Sequence, residues 1–351
     1  MRTIGWTEDG AVQVIDQTRL PHELATARWR TVEEAATGIE VMQVRGAPLI
    51  GVAAAHGVAL AMVDDPSVDG LDSAIARLAA TRPTAVNLRW ALRRMDDALR
   101  PLDSMDRVDA AVALAQQLAD EDVAVCASIA EVGLPLLTAL ADARGGRPVR
   151  VMTHCNAGWL ATVDWGTALA PIYRAFDAGL PVEVWVSETR PRNQGASLTA
   201  WELGAHGVPH TVVVDNACGH LLATGQVDVV LVGADRVAAN GDAGNKIGTY
   251  LKALAAAANG VPFHVVVPTS TIDVSCPDGA AIPIEERSPD EVTHLAGIDG
   301  AGATVSVLLT PPGTPAANPA FDVTSASLIT SLVTELGIVA ATSEGIAGLF
   351  A

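Results

Sequence analysis

The sequence predicts an α/β protein in two parts: a small, mainly helical N-terminal domain over residues 1–145, then a Rossmann-like domain with a mainly parallel sheet over residues 146–351. Three observations carry this reading. Apolar residues recur at helical spacing up to residue 140. The breaker run Ala143-Arg144-Gly145-Gly146-Arg147-Pro148 then interrupts the pattern. Beyond it, short β-branched runs at 149–154, 182–187, 211–214, 228–232 and 263–267 alternate with helical segments near 166–177, 197–206, 217–223 and 247–258, as in a doubly wound sheet. A length of 351 residues, half of them hydrophobic, supports about two such domains.

Residues 11–15 alternate as a short strand. Residues 31–42 carry a helical stripe of Val32, Ala35, Ile39 and Met42, which ends at Gln43-Val44-Arg45-Gly46-Ala47-Pro48. Pro48 suits the first turn of a helix over 49–63, so Arg45-Gly46-Ala47 stands just ahead of a helix N-terminus. Such a place can cradle an anion, although these residues alone also fit a turn with a solvated arginine. A helix over 70–80 follows, and Arg82-Pro83 introduces another that runs to Leu99. Residues 107–140 read as one or two core helices, with Cys126 a small buried hydrophobe.

In the second part, the strand ends gather polar residues. The strand at 228–232 stops at Gly233-Ala234-Asp235, passes through a loop holding Gly241 and Gly244, and leads to Asn245-Lys246-Ile247 as the expected start of a helix. Ligands of parallel sheets sit at the carboxyl ends of strands. Asp235 is therefore a candidate acid or base, and Lys246 a candidate anion contact beside a helix N-terminus; an ordinary strand–loop–helix fits the same residues. Cys155 follows the first strand in a turn whose free N–H groups can lower a thiol pKa, the alternative being a packed cysteine. His154 points the other way and reads as packed. Gln194-Gly195 precede a helix and can reach sugar hydroxyls, while Glu188, Arg190 and Arg192 read as a solvated loop. Cys218 and Cys276 receive no role.

A formal charge of −18 argues against a nucleic-acid partner. The four cysteines show no C-x-x-C pairing, which points to reduced thiols and not to a disulfide framework or zinc. Neither a dinucleotide fingerprint nor a Walker loop appears. No cofactor and no metal are expected. The N-terminus lacks a signal pattern, and charges are expected to interrupt every apolar run before membrane-spanning length. The reading is a soluble, cytoplasmic protein without a membrane partner.

THCNAG at 153–158, SETRPRNQGASLTAWEL at 187–203, VDNACGHL at 214–221, GADRVAANGDAGNKIGTY at 233–250 and PTSTID at 268–273 resemble the methylthioribose-1-phosphate isomerase family, which shares its fold with the alpha, beta and delta subunits of translation initiation factor 2B. VRGAPLIGV at 44–52, RPTAVNL at 82–88, PDGAAIPIEER at 277–287 and NPAFDVT at 318–324 extend the resemblance along nearly the whole chain. It implies an aldose–ketose isomerase of methionine salvage, a homodimer acting on a sugar phosphate. It implies Cys155 and Asp235 as the catalytic pair, with Arg45, Gly46, Ala47, Arg82, Gln194, Asn245 and Lys246 as substrate contacts. Arg89, on the following helix, is the less favoured substrate arginine. Ser187 stands where the family usually has Asp, a change expected to alter a hydrogen bond near the sugar.

Overall fold

The computed structural model describes residues 2–351. It opens with a three-stranded antiparallel sheet, β1 (Ile4–Trp6), β2 (Val12–Ile15) and β3 (Thr26–Trp29), of which the sequence pattern reveals only β2. Helix α1 (Val32–Glu40) begins on a capping box in which Thr31 and Glu34 satisfy each other's backbone N–H. Helices α2 (Ala47–Asp64), α3 (Val68–Thr81), α4 (Val86–Leu99) and α5 (Ser104–Ala143) follow, so residues 107–140 belong to one helix. Apolar on all sides, α2 is the hub of this core, packed by α1, α3, α4 and α5.

Both α2 and α5 are long and apolar enough to cross a membrane, against the expectation that charges interrupt every apolar run. The apolar window of α2 is 78% buried inside the protein, that of α5 28%. The first half of α5 packs in the helical core through Ala111 and Ala115, and its second half lies on the sheet through Ile129 and Leu137.

Strands β4 (Val149–Thr153), β5 (Val182–Ser187), β6 (His210–Val213) and β7 (Val229–Val232) alternate with helices α6 (Ala170–Asp177), α7 (Ala200–His206) and α8 (Ala217–Ala223). A hairpin of β8 (Arg236–Ala238) and β9 (Ala243–Lys246) comes next, then α9 (Thr249–Ala258) and β10 (Phe263–Val266). The remainder holds β11 (Ile272–Asp273), α10 (Asp290–Thr293), the hairpin of β12 (His294–Ile298) and β13 (Thr304–Leu308), β14 (Phe321–Thr324), β15 (Ser331–Thr334), β16 (Gly337–Val339) and α11 (Ser343–Leu349).

The main sheet runs β16-β15-β10-β7-β4-β5-β6, parallel throughout except for β16. Helices cover both faces: α5 and α6 lie on one, α8, α9 and α11 on the other. That double cover explains why β7, β10 and β15 are buried at every residue, and why β7 reads as an unbroken apolar run. From β4 the chain builds outward to β6, then returns to lay β7 on the other side of β4. The strand order reverses between β4 and β7, where an open sheet forms its ligand crevice.

One expectation fails beside this crevice. Asn245 and Lys246 do not open a helix; they end strand β9, and α9 starts only after Gly248 at φ +97°. A tight turn at Gly241 folds β9 back on β8, and β14, far along the chain, gives β9 its second partner in a small sheet of order β11-β8-β9-β14. That non-local pairing overrides the local helical spacing.

Candidate active site

Cys155 emerges directly beyond β4 and Asp235 beyond β7, so the reversal of strand order sets them at one crevice. Both line a cavity of about 60 Å³, and so do Arg45, Gly46, Ala47, Arg82, Gln194, Asn245 and Lys246. Every site residue singled out in the sequence is thus gathered in one place, drawn from both parts of the chain. Arg89 does not line it; its guanidinium turns outward and donates to the Pro83 carbonyl.

Two glycines allow this convergence. Gly46 lies at φ +100°, and a Cβ there would come within 2.5 Å of the Ala161 backbone, so the Arg45-Gly46-Ala47 turn fits against that loop only without a side chain. Behind it, Ala47, Pro48 and Ile50 bring the first turn of α2 to the cavity. The Ala47 N–H has no acceptor inside the helix, Pro48 has no N–H, and the Ile50 N–H donates to the Gly46 carbonyl at 3.0 Å. Gly195 packs so closely on the Ser187 carbonyl that a Cβ would stand 1.8 Å from its oxygen. That approach brings Gln194 to Cys155, whose thiol donates to Gln194 Oε1 at 3.5 Å.

Arg45 is buried and bound twice by Asn156, one nitrogen reaching the side-chain oxygen and the other the backbone carbonyl at 2.6 Å. Asn156 in turn donates to the fully buried Glu202 carboxyl. Lys246 lies 4.5 Å from the centre of the Phe321 ring, a cation–π contact on the cavity wall. Asn245 donates to Thr249 Oγ1 at 3.1 Å.

The charges are mutually dependent. Burial pushes the Asp235 carboxyl up, although Lys246, Arg82 and Arg45 pull it down. Burial lowers the Lys246 pKa, Cys155 and Asp235 oppose this, and Arg287 and Arg82 depress it further. Arg82, Lys246 and Arg287 therefore crowd together, with Glu285 placed 3.4 Å from Arg82 and 3.9 Å from Arg287, and Glu291 2.8 Å from Arg287. Arg287 lines the same cavity and was not singled out in the sequence, because it stands in an irregular, proline-containing stretch without periodicity.

Cys155 corrects the sequence reading in two respects. Its N–H is not free but donates to Thr189 Oγ1 at 2.8 Å. Burial also pushes its thiol pKa up, only partly offset by Arg45 and Lys246. At φ +61° it occupies the left-handed region, which costs an ordinary residue about 1–2 kcal/mol. Ser187 does not itself line the cavity: it is fully buried, donates to Asp215, and its hydroxyl lies 3.2 Å from Nδ1 of His154, which does line it. Arg190 and Arg192 are anchored more firmly than a solvated loop implies, reaching the Val292 carbonyl at 2.8 Å and the Glu291 carboxylate at 2.8 Å, although Arg192 stays exposed.

Met42, Arg45 and Gln194 separate the small cavity from a larger one of about 600 Å³ and line both. Among the described residues, no group of three or more His, Cys, Asp or Glu is placed to hold a metal ion. The site has an acid, a thiol, converging cations and a neighbouring space with apolar and polar walls.

Residues 43–341 match the model of the initiation factor 2 subunit family. The methylthioribose-1-phosphate isomerase of Methylorubrum populi is 60% identical over 341 residues, spanning 97% of this chain and 93% of that protein. The enzyme of the same name from Rhodospirillum rubrum is 58% identical over 349 residues, spanning 98% and 90%. Among solved structures, 5-methylthioribose 1-phosphate isomerase from Pyrococcus horikoshii superposes with a TM-score of 0.84 at 38% identity, covering 99% of this chain and 95% of that one. A protein described as the delta subunit of translation initiation factor eIF-2B, from A. fulgidus, superposes at 0.81 with 36% identity, covering 99% of both chains.

Proposed function

We propose a division of labour among the site residues from one premise: the chain belongs to the initiation factor 2 subunit family, and its activity is that of a methylthioribose-1-phosphate isomerase of methionine salvage. The substrate is a sugar phosphate, 5-methylthioribose 1-phosphate, and the product is 5-methylthioribulose 1-phosphate. The phosphate sits over the N-terminus of α2 at Gly46 and Ala47, faced by Arg82, Lys246 and Arg287. What supports this is the convergence of three cations on a helix N-terminus. Gln194, Asn245 and Arg45 orient the sugar.

Phosphate on C1 blocks the free ring opening of ordinary aldoses, so the bond between C1 and the ring oxygen must break with the phosphate attached. Asp235 protonates the ring oxygen as that bond breaks, leaving positive charge at C1. A carboxyl whose pKa is raised by burial suits this acid role. The hydrogen on C2 then passes to C1 with its electron pair, and the C2 hydroxyl gives its proton to the Asp235 carboxylate. The ketone forms, and Asp235 ends protonated as it began. Cys155 supplies a polarisable sulfur to the charge at C1. As a thiol kept neutral by burial it is a poor base for the C2 proton, which favours direct transfer over an enolate route.

The observation that carries this reading is the placement of Cys155 and Asp235 on one cavity with the cations. A regulatory protein on the same fold has no need of that set. Purified protein incubated in D2O with 5-methylthioribose 1-phosphate, ribose 1,5-bisphosphate or 5-deoxyribose 1-phosphate, followed by phosphorus NMR, tests it. The first sugar should turn over fastest, with no solvent deuterium at C1; deuterium there would make Cys155 the C2 base. The reading extends to a homodimeric, cytoplasmic enzyme, and sedimentation at twice the 36.1 kDa chain mass would support the dimer.

A further inference from the structure

The turn that carries Cys155 is gripped from both sides by hydroxyl groups. Its N–H donates to Thr189 Oγ1 at 2.8 Å, and its carbonyl accepts from Thr199 Oγ1 at 2.7 Å. Both threonines are fully buried, and neither lines the cavity. Each is anchored in turn. Thr189 Oγ1 donates to the Ser187 carbonyl at 2.9 Å, and the Thr189 N–H donates to the Asp215 carboxylate at 2.9 Å. Thr199 Oγ1 accepts from the Asn156 side chain at 3.1 Å. Thr199 also ends a single π turn, Gly195–Thr199, a widened geometry found mostly at functional sites.

Between these two anchors Cys155 is held at φ +61°, a conformation that a residue with a Cβ leaves when nothing restrains it. Relaxation toward negative φ would swing the Cα–Cβ bond and carry the sulfur away from its place beside Gln194. We propose that Thr189 and Thr199 are positioning residues of the isomerisation: their hydroxyls lock the Cys155 backbone in the left-handed conformation and thereby aim its sulfur into the cavity. This rests on the reading of Cys155 as a catalytic residue. Neither threonine touches the substrate; both act through the peptide groups on either side of one Cα.

The test is a double-mutant cycle between Thr199→Val and Cys155→Ser, with kcat and KM measured for each form and urea midpoints to confirm folding. Thr199→Val keeps the shape and removes the hydroxyl. It should lower kcat by about 10–100-fold, the scale of a misplaced reacting group. KM should move by less than about twofold, and Thr199→Ser should restore most of the loss. In the Cys155→Ser background, Thr199→Val should cost less than about twofold more, because the group it positions is already gone. An equal loss in both backgrounds, or full activity of Thr199→Val while Cys155→Ser is impaired, would overturn the proposal. Full activity of Cys155→Ser itself would overturn the reading beneath it, a distinct result. If Thr199→Val does not fold, Thr189→Ala and Thr189→Ser serve as the hydroxyl-free and hydroxyl-keeping pair, with the same outcomes.

Discussion

The side-chain amide of Asn156 donates to the carboxyl of Glu202, and the two oxygens of Asn156 accept from Arg45, so a buried acid stands one residue behind a buried arginine of the cavity wall. Burial pushes the Glu202 carboxyl up to about 8, against the pull of the Leu160 N–H, the Asn156 amide and Arg45.

A pH-dependent stability follows. The folded pKa of Glu202 lies above its ordinary value of 4.5, so its contribution to stability is fully present below that value. It is lost as pH rises through about 8. Glu202→Gln should flatten the fall of the urea midpoint between pH 4.5 and about 8 relative to the parent. An unchanged slope would mean that Glu202 is already ionised in the folded protein.

Asp235 and Lys246 separate chemistry from binding. Asp235→Asn cannot give up a proton, so kcat should fall by about 10²–10⁴-fold while product still binds in calorimetry. In the parent, kcat should decline on the alkaline side as the raised Asp235 pKa is passed and the acid is lost. Lys246→Ala removes the proposed phosphate contact, one made in both ground and transition states, so KM should rise strongly with a smaller effect on kcat. Weak binding by the Asp235 variant with tight binding by the Lys246 variant would reverse the two roles.

Cys155→Ser exchanges a polarisable sulfur for a harder oxygen at nearly constant shape. It should lower kcat by about 10²–10³-fold, as when one stabilising group of a transition state is removed, while thermal melting stays near that of the parent. Alkylation of the parent should inactivate it slowly, since the thiol is held neutral, and substrate should protect. A folded Ser variant with most of its turnover would leave Cys155 as a packing residue.

The cations of the phosphate site are distinguishable from their neighbours on the same segment. Arg82→Met and Arg287→Met should each raise KM by about tenfold or more, the cost of a charge-assisted hydrogen bond of about 1.5–3 kcal/mol. Arg89→Met should leave KM within about twofold, because Arg89 points away from the cavity. A larger effect from Arg89 than from Arg82 would show that the turn at Pro83 rearranges when substrate binds.

Local chemistry made much of this protein legible in its sequence. Five strands of the main sheet declared themselves as β-branched runs, as strands buried on both faces tend to, whereas β15 and β16 were not legible. The stripe of Val32, Ala35 and Ile39 announced one helix, and Pro48 behind Gly46 announced the start of the next, because a proline suits a helix's first turn. Cys155 and Asp235 could be named as candidates because they follow strands that end at the crevice, while Arg82 and Asn245 were named as substrate contacts through the family resemblance. What periodicity could not supply was anything created by partners distant in the chain. Lys246 lies on a strand because β14 pairs with β9, and Arg287 enters the cavity from a stretch with no repeating pattern. The state of the Cys155 thiol was likewise decided by tertiary structure. A turn after a strand suggested free N–H groups and a lowered pKa, but Thr189 takes the N–H and burial raises the pKa. Hydrogen-bond satisfaction and desolvation depend on every group that surrounds a side chain, and only the folded chain brings those groups together.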